Sequence, residues 1–323
     1  MIALIVFTEV GTPMMWAGFF TLIALLLWLD LGVLHKKQAV LGPKDAIKGT
    51  LAWMSMALLF CLFLGWRNGK ETALQFFQGY LVEEMLSVDN LFVILVIFKA
   101  FKVPEEFRHR VLYWGILGAV VMRLIFILAG VALIHKFAWL EWVLGAFLIY
   151  TGVKLLVHKD KEEEGPDPMQ SPVLRLFRRV VPSVNEFRGS HFWVREDGKL
   201  KATPLLAVLV MVETTDLIFA VDSIPAIFGL VEDPFVIFSS NIFAVLGLRA
   251  LFFLLAGLMG RFHYLKHALA LILPFIGMKM LLKHHISITP NVSLLVIIST
   301  LAGAVLASFL REKKIKRKNP AGI

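Results

Sequence analysis

Apolar residues gather here into long runs separated by short polar connections. Nine runs stand out: Met14–Leu34, Ala46–Gly65, Thr72–Phe98, Val111–Ile134, Leu140–Val157, Pro204–Gly229, Pro234–Met259, Ala268–Leu282 and Val292–Leu310. Most reach the roughly 20 residues that a helix needs to cross a bilayer. None alternates with the period of two expected of a membrane β-barrel. The eighth is short and contains Pro274. The pattern predicts an all-α polytopic membrane protein of about nine transmembrane helices.

The polar connections divide the chain further. Residues 1–71 form an N-terminal two-span segment, 72–157 a three-span unit, 158–203 a loop, 204–283 a second three-span unit, and 284–323 a last span with a basic tail. The loop opens on an acidic linker, Glu162 to Pro168. Val173–Val181 then reads as a short basic amphipathic helix, and Asp197-Gly198 as the turn of a hairpin.

Composition agrees with a membrane protein: 58% of residues are hydrophobic and mean hydropathy is +0.77. The formal charge is +9, but the positives sit in loops and tail, so no nucleic-acid partner is expected. Lys36, Lys37, Lys44, Lys99, Lys102, Arg108, Arg110, Arg175, Arg178, Arg179, Arg261, Lys266 and the tail lysines all fall on one side of a nine-span path. The excess of Lys and Arg in inner loops places the N-terminus outside and the C-terminus inside. The single Cys61 excludes an intrachain disulfide framework. Ile2–Phe7 is short and runs into Glu9, so no signal peptide is expected.

Two runs carry acids well inside them, away from the ends where Asp30 and Glu141 sit, and such acids are costly in hydrocarbon and need a partner or a task. Glu83-Glu84-Met85-Leu86-Ser87-Val88-Asp89-Asn90 lies in the third run; Asp216-Leu217-Ile218-Phe219-Ala220-Val221-Asp222-Ser223, preceded by Glu213, lies in the sixth. Both read acid, five residues, Asp, then Asn or Ser. Glu83, Ser87 and Asn90 share one helical face, as do Asp216, Ala220 and Ser223. Asp89 and Asp222 lie about 120° away on a regular helix. Either the site spans two faces, or the helix unwinds near Gly79 and Pro225. Glu84 has no counterpart, Leu217 taking its place.

The likeness extends beyond the acids. Arg123-Leu124-Ile125-Phe126 of the fourth run matches Arg249-Ala250-Leu251-Phe252 of the seventh, and Gly152-Val153-Lys154-Leu155-Leu156 of the fifth matches Gly277-Met278-Lys279-Met280-Leu281 of the eighth. A repeated unit of three spans must insert its second copy upside down, a transporter architecture with the substrate near the midplane. Arg123 and Arg249 cannot neutralise Glu83, Asp89, Glu213, Asp216 and Asp222 together; the remainder is protonated, hydrated or bound to a cation. Carboxylates, an amide and hydroxyls suit a hard divalent cation. The candidate ligands are Glu83, Asp89, Asn90, Glu213, Asp216 and Asp222. Met85 and Met211 offer a soft ligand, but core packing explains them more simply. The paired His263 and His267, His284-His285, and Asp30 at a helix end are read as loop-edge residues. The structural alternative for the acids themselves is a hydrogen-bonded lock between helices.

These motifs, together with the opening Thr12-Pro13-Met14-Met15-Trp16-Ala17-Gly18-Phe19 and the stretch Glu213 to Pro225, resemble the TerC family of integral membrane proteins, its Alx-type members above all. The resemblance implies a bacterial inner-membrane protein of the LysE-like superfamily that exports Mn²⁺, with protons as a possible counter-ion. Manganese is what the resemblance implies; the spacing itself points only to an oxygen-rich cation site. No resident cofactor is expected, and no enzyme: His-Glu-x-x-His and Gly-x-Gly-Asp are both missing. The competing reading is a membrane scaffold in metal or tellurium stress, with exoenzymes or stress-response proteins as partners.

Overall fold

The computed structural model describes residues 8–29, 43–157, 168–196, 198–256, 264–283, 285–286 and 288–318. Asp30, His263, His284 and the acidic linker fall outside these residues, as does the side chain of Asp222. The chain folds into helices α1 (Pro13–Leu29), α2 (Pro43–Asn68), α3 (Lys70–Ala100), α4 (Glu105–Lys136), α5 (Leu140–Val157), α6 (Pro172–Val180), α7 (Pro204–Phe228), α8 (Pro234–Ala256), α9 (Leu265–Leu282) and α10 (Pro290–Lys318). A hairpin of β1 (Trp193–Glu196) and β2 (Lys199–Ala202) precedes α7. The described part of each of the nine apolar runs falls on a helix. Among the described residues, six helices, α2, α4, α5, α7, α8 and α10, are long and apolar enough to cross a membrane; α1 and α9 are shorter apolar helices.

Proline opens many of these helices, at the first position where its missing N–H costs no bond. Asp233 caps α8 by accepting from the backbone N–H of Phe235 at 2.9 Å and of Val236 at 3.1 Å. Helices α3 and α7 run unbroken through Gly79 and Pro225. The expected unwinding therefore does not occur: the ring of Pro225 is accommodated near the C-terminal end of α7, and Gly79 serves packing instead. A Cβ on Gly79 would stand 2.6 Å from the Ser240 hydroxyl, so α3 lies close against α8 there.

Helix α8 is the centre, buried on all sides over its apolar stretch. Helices α2, α3 and α4 pack on it, and α7 packs on α3 and α4. Helix α1 is held through rings, Trp16 meeting Phe235 edge-on at 5.2 Å and Phe19 meeting Phe60 at 5.4 Å. The α5–α9 pair is tight because it lacks side chains: a Cβ on Gly277 would stand 2.5 Å from the Gly145 carbonyl oxygen, and one on Gly152 would stand 2.2 Å from the Pro274 ring. Small residues at such crossings let backbones approach where lipid and protein are equally apolar. Cys61 is half-buried and points at the Ala73 carbonyl, a packing role.

The 158–203 loop follows its sequence signals. Helix α6 buries Leu174 and presents Arg175, Arg178 and Arg179 outward. The hairpin pairs Glu196 with Lys199, with Gly198 at φ +74°, a conformation glycine adopts without strain. Arg110, just after the α3–α4 turn, donates to the Ser190 hydroxyl at 3.0 Å and covers the Phe192 ring. The basic α3–α4 turn and the basic loop unit therefore lie at one end of the bundle.

Candidate functional site

One guanidinium organises the interior. Arg123 of α4 and Glu83 of α3 are wholly buried, and they pair directly. Arg123 also reaches Asp216 of α7 at 3.2 Å and donates to the Asn241 side-chain oxygen of α8 at 2.9 Å. The Asn241 amide in turn donates to the second Glu83 oxygen at 3.0 Å. Four helices meet at this knot, and Glu83 has both oxygens satisfied. A buried charge is tolerated when paired and hydrogen-bonded in this way. The bidentate fork of arginine suits it to serve two carboxylates at once.

Along α3 and α7, buried polar atoms lack a hydrogen-bond partner among the described residues. They include the Ser223 hydroxyl, the Asn90 amide nitrogen, and one oxygen each of Glu84, Glu213 and Asp216. Buried polar groups are ordinarily paired, so such a concentration calls for a ligand or water. Glu213 faces α4, where a Cβ on Gly118 would stand 2.0 Å from its carboxyl oxygen. That glycine is what leaves room for the Glu213 side chain.

The six residues proposed as ligands are not all gathered. Glu83 and Asp216 share Arg123, and Asn90 is buried on the same face of α3. Glu213 lies one turn from Asp216 on α7. Asp89 sits on an exposed face of α3, as the 120° offset on an unbroken helix requires. Asp222 lies on α7. Among the described residues, no three His, Cys, Asp or Glu side chains converge as a ready metal-holding group. Asn241 went unnoticed in the sequence reading, although Ser239-Ser240-Asn241 is a polar triplet within an otherwise apolar run and all three are buried.

The opposite end of the bundle from the basic loops carries a second polar region. Lys283, at the end of α9, pairs with Glu232 at 2.7 Å and approaches Glu141 at 4.0 Å. These three line both a cavity of about 350 Å³ and a larger one of about 850 Å³ beside it. Burial draws the Lys283 ammonium down, but its bond to Glu232 prevails and holds it above its ordinary value. Nearby, burial pushes the Asp233 carboxyl up against the Thr8 hydroxyl and two backbone N–H groups that favour its charge.

Residues 68–316 match the model of the integral membrane protein TerC family. The chain is 47% identical to "Uncharacterized membrane protein STKORF319" of Myxococcus xanthus, across 95% of both chains. It is 43% identical to a membrane protein of Rickettsia felis, across 94% of this chain and 99% of that one. It is 44% identical to "Putative membrane-bound redox modulator Alx" of Escherichia coli (strain K12), across 90% of this chain and 93% of that one. No solved structure matches. With the family model covering the helices that build the arginine knot and the likeness to these relatives running nearly end to end, the chain belongs to the TerC family of integral membrane proteins.

Proposed function

We propose that the protein is a transporter, not an enzyme, that exports a divalent metal cation, Mn²⁺ by family resemblance, through the carboxylates around Arg123. The observation that carries this reading is the shared guanidinium: one tethered cation links Glu83 to Asp216, and one buried oxygen each of Asp216 and Glu213, a turn away on α7, finds no hydrogen-bond partner among the described residues. A hard cation needs such oxygens, and no thiolate or imidazole is offered there. In this mechanism the arriving ion competes with Arg123 for Glu83 and Asp216. The arginine holds the two acids while no ion is present, and the freed acids hold the ion in transit. Asn241 keeps Glu83 oriented throughout, and Gly118 leaves Glu213 space to turn toward the ion.

Nine spans and an inverted three-plus-three repeat, α3–α5 against α7–α9, fit the same reading. Under that repeat the contact of α3 with α8 has its counterpart in that of α7 with α4, and both pairs pack. The register that matches Gly152 with Gly277 matches Gly145 with Ala270. Gly145 approaches Gly277, and Gly152 approaches the Ala270 carbonyl. Such reciprocal contacts are what a two-fold relation demands. With the basic loops inward and the Lys283–Glu232 region outward, the protein would sit in the bacterial inner membrane with its N-terminus outside.

Purified protein in vesicles enclosing a Mn²⁺-quenched dye tests the proposal, with and without a pH gradient. Wild type should quench, and Glu83→Gln and Asp216→Asn should each slow quenching more than tenfold. Equal rates in all three would sink the reading. The scaffold alternative, with stress-response proteins as partners, draws on the redox name of the Escherichia coli relative and on the folded loop unit. If removing residues 162–199 abolished metal tolerance in cells while vesicle transport persisted, the scaffold reading would gain.

A further inference from the structure

Away from the arginine knot, helices α1 and α2 do not close on each other. An apolar crevice of about 560 Å³ runs between them, floored by Phe19, Phe60, Phe235 and Phe243. From Met14 to Leu26 it follows α1, and from Met56 to Arg67 it follows α2. At 1.5 Å per residue these stretches span about 16–18 Å. That matches one leaflet, roughly half of the 30 Å hydrocarbon core. Among the described residues, one charged side chain lines the crevice, Arg67, and it stands at the end where α2 gives way to Asn68-Gly69-Lys70. Trp66 beside it is largely exposed, as at a membrane–water boundary. Gly18 opens the wall further: a Cβ there would meet no atom within 4 Å.

We infer that this crevice is a binding site for one phospholipid, an acyl chain lying between α1 and α2 and an anionic headgroup phosphate on Arg67. Length, shape and charge all select this occupant. A crevice one leaflet deep with a cation at the headgroup level fits a lipid of that leaflet. A helix from a second copy is far wider than a gap of this volume, being about 10–12 Å across with its side chains. Apolar contact alone gives no preference in a bilayer, since lipid tails are as apolar as leucine. Retention therefore comes from the fit of the chain, and the choice of headgroup comes from Arg67. The bound chain adds to the packing of α1, which already buries Trp16, Phe19, Ile23 and Leu26 in the core.

The test is native mass spectrometry of protein taken from nanodiscs of equal parts phosphatidylglycerol and phosphatidylcholine. Wild type should carry one phosphatidylglycerol per chain. Gly18→Trp projects an indole into the crevice from a position where a Cβ meets no atom within 4 Å, and should lose that lipid at least tenfold. Arg67→Gln lies at the exposed rim, leaves the fold untouched, and should cut the preference for phosphatidylglycerol about fivefold, the effect of one surface cation. The inference is overturned if wild type carries no lipid, if Arg67→Gln keeps the full preference, or if a stably folded Gly18→Trp keeps the lipid. It is equally overturned if the crevice holds a neutral quinone or a second copy of the chain.

Discussion

Replacing Arg123 with methionine should be among the most damaging single changes in this protein. The side chain is wholly buried and serves Glu83, Asp216 and Asn241. Without it, two carboxylates face each other across the interior with no cation between them. Removing one partner from a buried ion pair costs about 3–5 kcal/mol, because the other charge stays buried. In a chain of 323 residues, at about 2 cal/mol/K of unfolding entropy per residue, about 1 kcal/mol moves the melting midpoint by about 1.5 °C, so the expected fall is about 4–8 °C. The compensated variant Arg123→Met with Glu83→Gln and Asp216→Asn removes the stranded charges and should recover most of that loss. Tryptophan fluorescence in micelles can follow the melting, with 8 tryptophans as reporters. Mn²⁺ separates the proposed function from a structural lock. In Arg123→Met the acids are released to a divalent ion, which at a hundred times its Kd should add about 2.7 kcal/mol. In the compensated variant it should add nothing. A melt of Arg123→Met within a degree of wild type, or a compensated variant that melts lower than the single one, would refute the stranded-charge account.

Other substitutions probe neighbouring contacts. Asn241→Leu removes one bond to the Glu83 carboxylate and one from the Arg123 guanidinium, at about 1.5–3 kcal/mol each, and should lower the same melting midpoint. Gly118→Ala puts a Cβ where the Glu213 carboxyl now lies. The protein should still reach the membrane, while vesicle transport falls more than tenfold. Asp233→Ala should cost about 1 kcal/mol through the lost cap on α8, whereas Asp233→Asn, an equally good cap, should leave the midpoint unchanged.

Much of the architecture was legible in the chain. The described part of each apolar run is helical, and a segment that crosses hydrocarbon must satisfy its backbone bonds internally. The Asp197-Gly198 turn and the basic helix near Val173 were legible for local reasons: a residue suited to positive φ, and apolar residues at helical spacing. From the chain, Arg123 reads equally as a partner of the motif acids and as a plain interhelical link, because a counter-charge requirement does not say which acid comes near; the fold joins it to Glu83 and Asp216. Asn241 was not legible, since an amide in an apolar run looks the same whether it binds a charge or merely packs.

The sequence alone determined that this chain crosses a membrane many times and that its acids must be answered inside it. Which acids meet was decided by the tertiary structure. It joined Glu83 to Asp216 through Arg123 and left Asp89 on the exposed face of an unbroken helix. It also put α8 at the centre, surrounded on every side. No amphipathic pattern announces that position in a membrane protein, because the residues that face lipid are as apolar as those that face other helices.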